Sequence, residues 1–160
     1  SQHFKVGTTS VRGYVTETKS LALTGTSYWG RVWVWDEIMP TGSEHIVDIA
    51  IDGKSGTADE QVRIFNVING NFAINRRSDD KGGVSNVKPM LGKWQCYEWH
   101  ITPSSLDIYV DGAMLMNVSQ TWANPVVSLF RMGFERFTNG NAGELWMDDL
   151  AMNDAQIGCK

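Results

Sequence analysis

The chain predicts an all-β fold, a two-sheet antiparallel sandwich or jelly roll rather than a parallel α/β architecture. Three observations carry that expectation. Apolar and polar residues alternate with period two, and the 3.6-residue period of an amphipathic helix is not sustained anywhere. Seven Trp, six Phe and four Tyr accompany 16 Gly and only four Pro, a mixture that suits strands and tight turns. Asn-Gly and Asp-Gly dipeptides recur between the alternating runs.

Gly13 to Thr18 and Ser20 to Thr24 read as short strands. Tyr28 to Ile38 (YWGRVWVWDEI) gives the strongest strand pattern, with Val32 and Val34 on one face and Arg31, Trp33 and Trp35 on the other. His45 to Ile51 follows, ended by an expected turn at Asp52-Gly53 and the polar loop KSGTADE. Gln61 to Ile68 and Phe72 to Arg76 flank Asn69-Gly70, a two-residue hairpin turn. Arg77 to Gly92 has no pattern and is expected to form a long functional or mobile loop. Trp94 to Thr102, Leu106 to Val110 and Met114 to Val118 read as a meander broken at Pro103-Ser104 and Asp111-Gly112. Val126 to Arg136 and Glu144 to Met152 form the last pair, and a single helical turn is expected near Asn153 to Ile157.

At 160 residues the expectation is one β-sandwich domain spanning 1–160. A chain of this size buries roughly 68–70% of its unfolded surface and needs no metal to hold a core. The formal charge of −4 argues against general nucleic-acid binding, which draws on basic residues against phosphates. No apolar run approaches the roughly 18–20 residues that cross a bilayer, and SQHFKVGTT carries no signal-peptide core. The expected species is a soluble, mature or trimmed chain without a membrane partner. Gly53-Lys54-Ser55 lacks the upstream glycine of a phosphate loop, Gly-x-Ser-x-Gly is absent, and the Asn117-Val118-Ser119 sequon is uninformative. Cys96 and Cys159 show no zinc spacing; counting alone leaves two free thiols or one disulfide.

The ordered segments GKWQCYEWHI, LDIYVDG, LFRMGFE, LWMDDLAM and IGC resemble concanavalin-A-like jelly rolls. Within that fold family they look most like the secreted branch that holds glucuronan lyase and a related cellulose-induced fungal protein. YWGRVWVW and HIVDIAI resemble the same branch, in which a Gly-Arg strand precedes a His-bearing strand. The resemblance covers about residues 28 to 159. It implies a Cys96–Cys159 disulfide, worth roughly 4 kcal/mol in the chain-entropy picture, and a secreted or extracellular setting. Such jelly rolls often carry further strands at the start, so the N-terminus is expected to be shortened or divergent. The resemblance also supports, loosely, a structural calcium facing Asp148 or Asp149; no cofactor is otherwise required.

If Val32, Val34, Val62, Ile64, Tyr97, Trp99, Ile108 and Val110 point inward, the opposite face displays Arg31, Trp33, Trp35, Arg63, Phe65, Glu98, His100, Tyr109 and Arg131. Aromatic plates among directional hydrogen-bonding groups suit a saccharide, whose rings pair apolar faces with hydroxyl rims. The competing reading makes Trp33 and Trp35 core residues. Binding is therefore expected at Trp33, Trp35, Arg63, Glu98 and Arg131, in an open concave groove. A uronate lyase also needs a carboxylate neutraliser, a base and an acid. Arg31 suits the first role, His45 or His100 the second, and Tyr97 or Tyr109 the third; the resemblance favours Arg31 and His45. Alternation puts His45 on the face of Val47 and Ile49, so only a bulge before Asp48 would turn it to the Asp48 face.

Basic residues outnumber acidic ones from Arg76 to Lys93, which could draw an acidic glycan to a mobile rim, although surface loops are commonly charged. The expected partner is a polysaccharide, acidic if that rim contributes. Three functions stay open at this point: a binding module, a lyase acting by β-elimination, and a structural or adhesion domain without a sugar ligand.

Overall fold

The computed structural model describes residues 1–17, 27–39, 45–55, 58–79, 81–119 and 126–160. Twelve strands fill two six-stranded sheets, and every pairing between them is antiparallel. Sheet 1 runs β1 (Gln2–Val6), β12 (Gly143–Asn153), β3 (Tyr28–Ile38), β8 (Trp94–Ile101), β9 (Ser105–Val110), β10 (Ala113–Ser119). Sheet 2 runs β2 (Val11–Glu17), β11 (Val126–Arg136), β4 (His45–Ser55), β5 (Ala58–Ile68), β6 (Asn71–Arg76), β7 (Gly82–Val84). The sheets stack face to face as a jelly-roll sandwich, as the alternation predicts.

The core lies between the sheets. Val32, Val34, Tyr97, Trp99, Ile108 and Met147 from sheet 1 meet Ile49, Ile51, Val62, Ile64, Phe72 and Phe130 from sheet 2. Rings cross the gap: Phe65 stacks on Tyr97 at 4.6 Å and Trp99 on Phe130 at 5.6 Å. The Trp99 indole lies against the β3 backbone at Gly30, where an added Cβ would sit 2.0 Å from a ring carbon. The hairpin turns follow their sequences. Asn69 and Gly70 have φ of 52° and 79°, and Asp111 and Gly112 have 51° and 81°, the left-handed pairs that two-residue hairpins require.

Several expectations need correction. β4 runs on through Asp52-Gly53 to Ser55, because its partner β5 already starts at Ala58. Phe65, expected on the outer face, is a core residue. A bulge between Arg63 and Asn66, with Phe65 at φ 52°, turns both Ile64 and Phe65 inward. The stretch from Arg77 to Gly92 does not leave the sheet but holds β7, and backbone bonds from Phe72 to Val87 and from Ser85 to Phe72 tie it to β6. Arg76 and Lys81 both pair with Asp79, neutralising part of its positive charge. No helical turn occurs among residues 153–157. Residues 2–17 supply an edge strand to each sheet, and β1 escaped sequence reading because QHFKV alternates too briefly. The strand expected at Ser20 to Thr24 lies outside the described residues.

Two carboxyls point into the core from opposite sheets. Asp36 on β3 accepts a 2.7 Å hydrogen bond from the Tyr97 hydroxyl, and burial pushes its carboxyl up to about 6. Asp48 on β4 is sealed from solvent, and burial together with the nearby Asp36 charge raises it well above the usual carboxylate range. Between pH 3.8 and about 6 the unfolded chain releases the Asp36 proton while the folded chain keeps it, so this contribution to stability falls as pH rises. For Asp48 the fall continues to higher pH. D48N is therefore expected to melt roughly 5 °C above the parent at pH 8, with the gap closing toward pH 5, measured by thermal denaturation across pH. Gly30→Ala should cost about 1–3 kcal/mol in denaturant unfolding, because the Trp99 ring has nowhere to retreat.

Candidate functional site

The predicted site residues divide between two faces on opposite sides of the molecule. Arg31, Trp33, Trp35, Glu98, His100 and Tyr109 share the outer face of sheet 1, as alternation predicts. Arg63 and Arg131 stand on the outer face of sheet 2 and cannot join them. Alternation along a strand separates inward from outward but does not say which sheet the strand enters.

On sheet 1 the expected open groove is closed over its charged residues. Cys96 and Cys159 form the disulfide that the resemblance implies, with an S–S distance of 2.07 Å. The bond draws the C-terminal segment across β3 and β8. Glu98 then accepts the Gly158 N–H at 2.7 Å and the Gln156 amide at 3.2 Å, and is fully buried. Its register partner Arg31 donates to the Gly158 carbonyl at 3.1 Å and to the Asp149 carboxylate at 2.7 Å, and is only 8% exposed. The guanidinium thus holds a carboxylate, but one from its own chain. Trp33 and Trp35 stay half-buried on the same face, and Trp35 meets Trp94 edge-on at 6.0 Å. Tyr97, the other acid considered, is sealed in the core. His45 opens β4 opposite Ile68; its side chain lies outside the described residues.

The metal expectation meets the same tail contact. A bulge between Asp148 and Ala151, with Asp149 at φ 50°, swings Asp149 onto Arg31. Asp148 accepts the Asp149 N–H and lies 3.5 Å from the N-terminal amine. Among the described residues no three His, Cys, Asp or Glu side chains converge, and these two carboxylates are engaged by Arg31 and the N-terminal amine.

The outer face of sheet 2 is built differently. One cross-strand row reads Thr16, Arg131, Ala50, Arg63, Asn75, from β2 across β11, β4 and β5 to β6. Ala50 is fully buried between the Arg131 and Arg63 positions, and the trough on this face opens at the next row instead. Gly133 on β11 carries no side chain because the Gly13 carbonyl and the Phe4 ring already occupy the space a Cβ would take, at 2.3 and 2.8 Å. The adjoining row holds Asp52 and Gln61, and a cavity of about 490 Å³ opens beside them, bounded by Arg131, Arg77 and Ser78.

Hydrogen bonds fix these side chains in place. Arg63 donates to Gln61 at 2.9 Å and to Asn75 at 3.4 Å, and Gln61 donates to Asp52 at 2.8 Å. Arg131 pairs with Asp52 at 2.9 Å and lies over the Tyr14 ring. Tyr14 donates to Glu135 at 2.7 Å, and Glu135 also pairs with Arg12. Burial, then the Glu135 carboxylate, drives the Tyr14 phenol far above its ordinary range, so it stays protonated. Arg63 donates to neutral amides and lies over the Phe137 ring at 4.8 Å, and among the described residues no carboxylate pairs with it.

Sequence reading missed Tyr14, Asp52, Gln61, Asn75 and Glu135. Alternation in IAID and QVRIF marks Asp52, Gln61 and Arg63 as outward, but only the pairing of β4 with β5 and β11 brings them together.

The two sheets define a concanavalin-A-like jelly roll with one polar, trough-bearing face. No protein-family model matches the chain, and no curated protein does. Among solved structures it is similar to the cellulose-induced protein Cip1, at a TM-score of 0.72 and 17% identity over 98% of this chain and 93% of that one. The marine PL7 alginate lyase AlyA1 from Zobellia galactanivorans gives 0.65 and 10% over 96% and 77%. The alginate lyase AlyC3 in complex with dimannuronate gives 0.61 and 16% over 94% and 73%. At these identities the likeness is one of fold.

Reducing the Cys96–Cys159 bond should free the tail from Glu98 and Arg31. Thermal denaturation with and without reductant is expected to show a loss of about 2–4 kcal/mol.

Proposed function

We propose that the chain engages an acidic polysaccharide along the sheet 2 trough. The observation that carries this reading is the pair of held guanidinium groups, Arg131 and Arg63, on one face beside the cavity at Asp52 and Gln61. A uronate carboxylate suits Arg63, which can meet two oxygens with two parallel N–H donors. Asp52, Gln61 and Ser78, which line the cavity, offer directional partners for ring hydroxyls. The alginate lyases that share the fold, one of them bound to dimannuronate, support a uronate as the ligand. The disulfide suits an oxidising, secreted setting.

A lyase reading draws on Tyr14. Tyr14, beside Arg131, would serve as proton donor to a leaving glycosidic oxygen only after substrate displaces its hydrogen bond to Glu135, because the burial and carboxylate that keep it protonated weaken it as an acid, while Arg63 would neutralise the carboxylate to acidify C5. The remaining requirement is a base for the C5 proton; His45, the histidine on this sheet, stands at the start of β4, five positions from the Arg63 row.

Affinity electrophoresis on alginate and glucuronan, with absorbance of the unsaturated product followed in parallel, separates the readings. Binding is expected to weaken about tenfold or more in R63A and on raising salt. Product formation that Y14F abolishes without loss of binding would establish the lyase. An R63A protein that binds as well as the parent, or a parent that binds neither glycan, would overturn the proposal in favour of a structural domain.

A further inference from the structure

Away from the trough, the outer face of sheet 1 holds a chain of three groups that neither the tail contacts nor the glycan reading uses. Trp29, His100 and Asp107 lie in one cross-strand row over β3, β8 and β9. Ser27, just before β3, brings its Oγ to 2.7 Å from His100 Nε2. On the other side of the imidazole, Nδ1 is 3.6 Å from Asp107 Oδ2. Asp107 is itself fixed, because its second oxygen accepts a hydrogen bond from the Asn117 amide.

We propose that Ser27, His100 and Asp107 act as nucleophile, general base and orienting carboxylate in the hydrolysis of small carboxylic esters. The carboxylate beside Nδ1 favours the tautomer with its proton there, which leaves the Nε2 lone pair to accept the Ser27 hydroxyl. Trp29 stacks on the imidazole at 4.1 Å and 8°, and Tyr109 packs against Trp29 at 5.6 Å. That stacking locks the ring orientation and stabilises the imidazolium that forms on proton transfer. The His100 side chain is 20% exposed, so the pair can be reached from solvent.

The step balances without oxidant or metal. Ser27 Oγ attacks the acyl carbon as its proton passes to Nε2, and the alcohol departs with that proton. Water, deprotonated by the same nitrogen, then releases the acid and restores the serine. An ester fits better than an amide: alkoxide departs with less proton help than amine, and the 3.6 Å Nδ1 contact is looser than in a strongly held base. This activity does not depend on the trough reading.

The test exposes the whole chain to a fluorophosphonate probe and, separately, to p-nitrophenyl acetate. One adduct is expected, mapped by mass spectrometry to the peptide containing Ser27, with ester hydrolysis above the buffer rate. S27A and H100Q should each lose the adduct and lower hydrolysis about 100-fold, and D107N should slow it tenfold or more. A parent protein that takes no label overturns the proposal whatever the variants do. So does ester hydrolysis that is no faster than in a folded S27A protein.

Discussion

A two-sheet sandwich has one interior, roughly 10 Å thick, and it accepts side chains from one face of each sheet only. Every group that must meet water or a ligand is therefore sent to one of two outer faces that point in opposite directions. Arg31 and Arg63 show the consequence. Both occupy outward positions on central strands, yet the whole core stands between them. Among the described residues, Asp36 and Asp48 are carboxyls placed inside, where burial favours their protonated forms.

The two faces also differ in what the chain does with them. On sheet 1 the disulfide fastens the C-terminal segment over β3 and β8, and that segment supplies the partners that Glu98 and Arg31 need. A buried glutamate without such partners would be costly, so the tail and the charged pair explain each other. On sheet 2 no described segment crosses the central row. Its arginines are held by side chains of their own sheet, and a cavity opens beside Asp52, Gln61 and Arg131.

Much of the fold was legible. The bounds of β3 and β11 match the alternating runs, and Asn69-Gly70 and Asp111-Gly112 turn where those dipeptides should. The site was legible only in part, for three physical reasons. Outward alternation fixed the direction of Trp33, Gln61 and Arg63 but not the order of the strands, so residues of two faces were read as one. Bulges at Phe65 and Asp149 shift side chains by one position through left-handed backbone that neither sequence advertises. The partners of Arg31 and Glu98 come from a segment near the end of the chain, a contact that spacing does not encode.

The direct measurement of the central claim is a two-dimensional NMR titration of the labelled protein with a uronate oligosaccharide, read at the backbone amides and at the arginine and indole N–H groups. The account predicts that shifts gather at Asp52, Gln61, Arg63, Asn75 and Arg131 while the Trp33 and Trp35 indoles stay still. Shifts centred on those two indoles, with Arg63 and Arg131 unmoved, would contradict it.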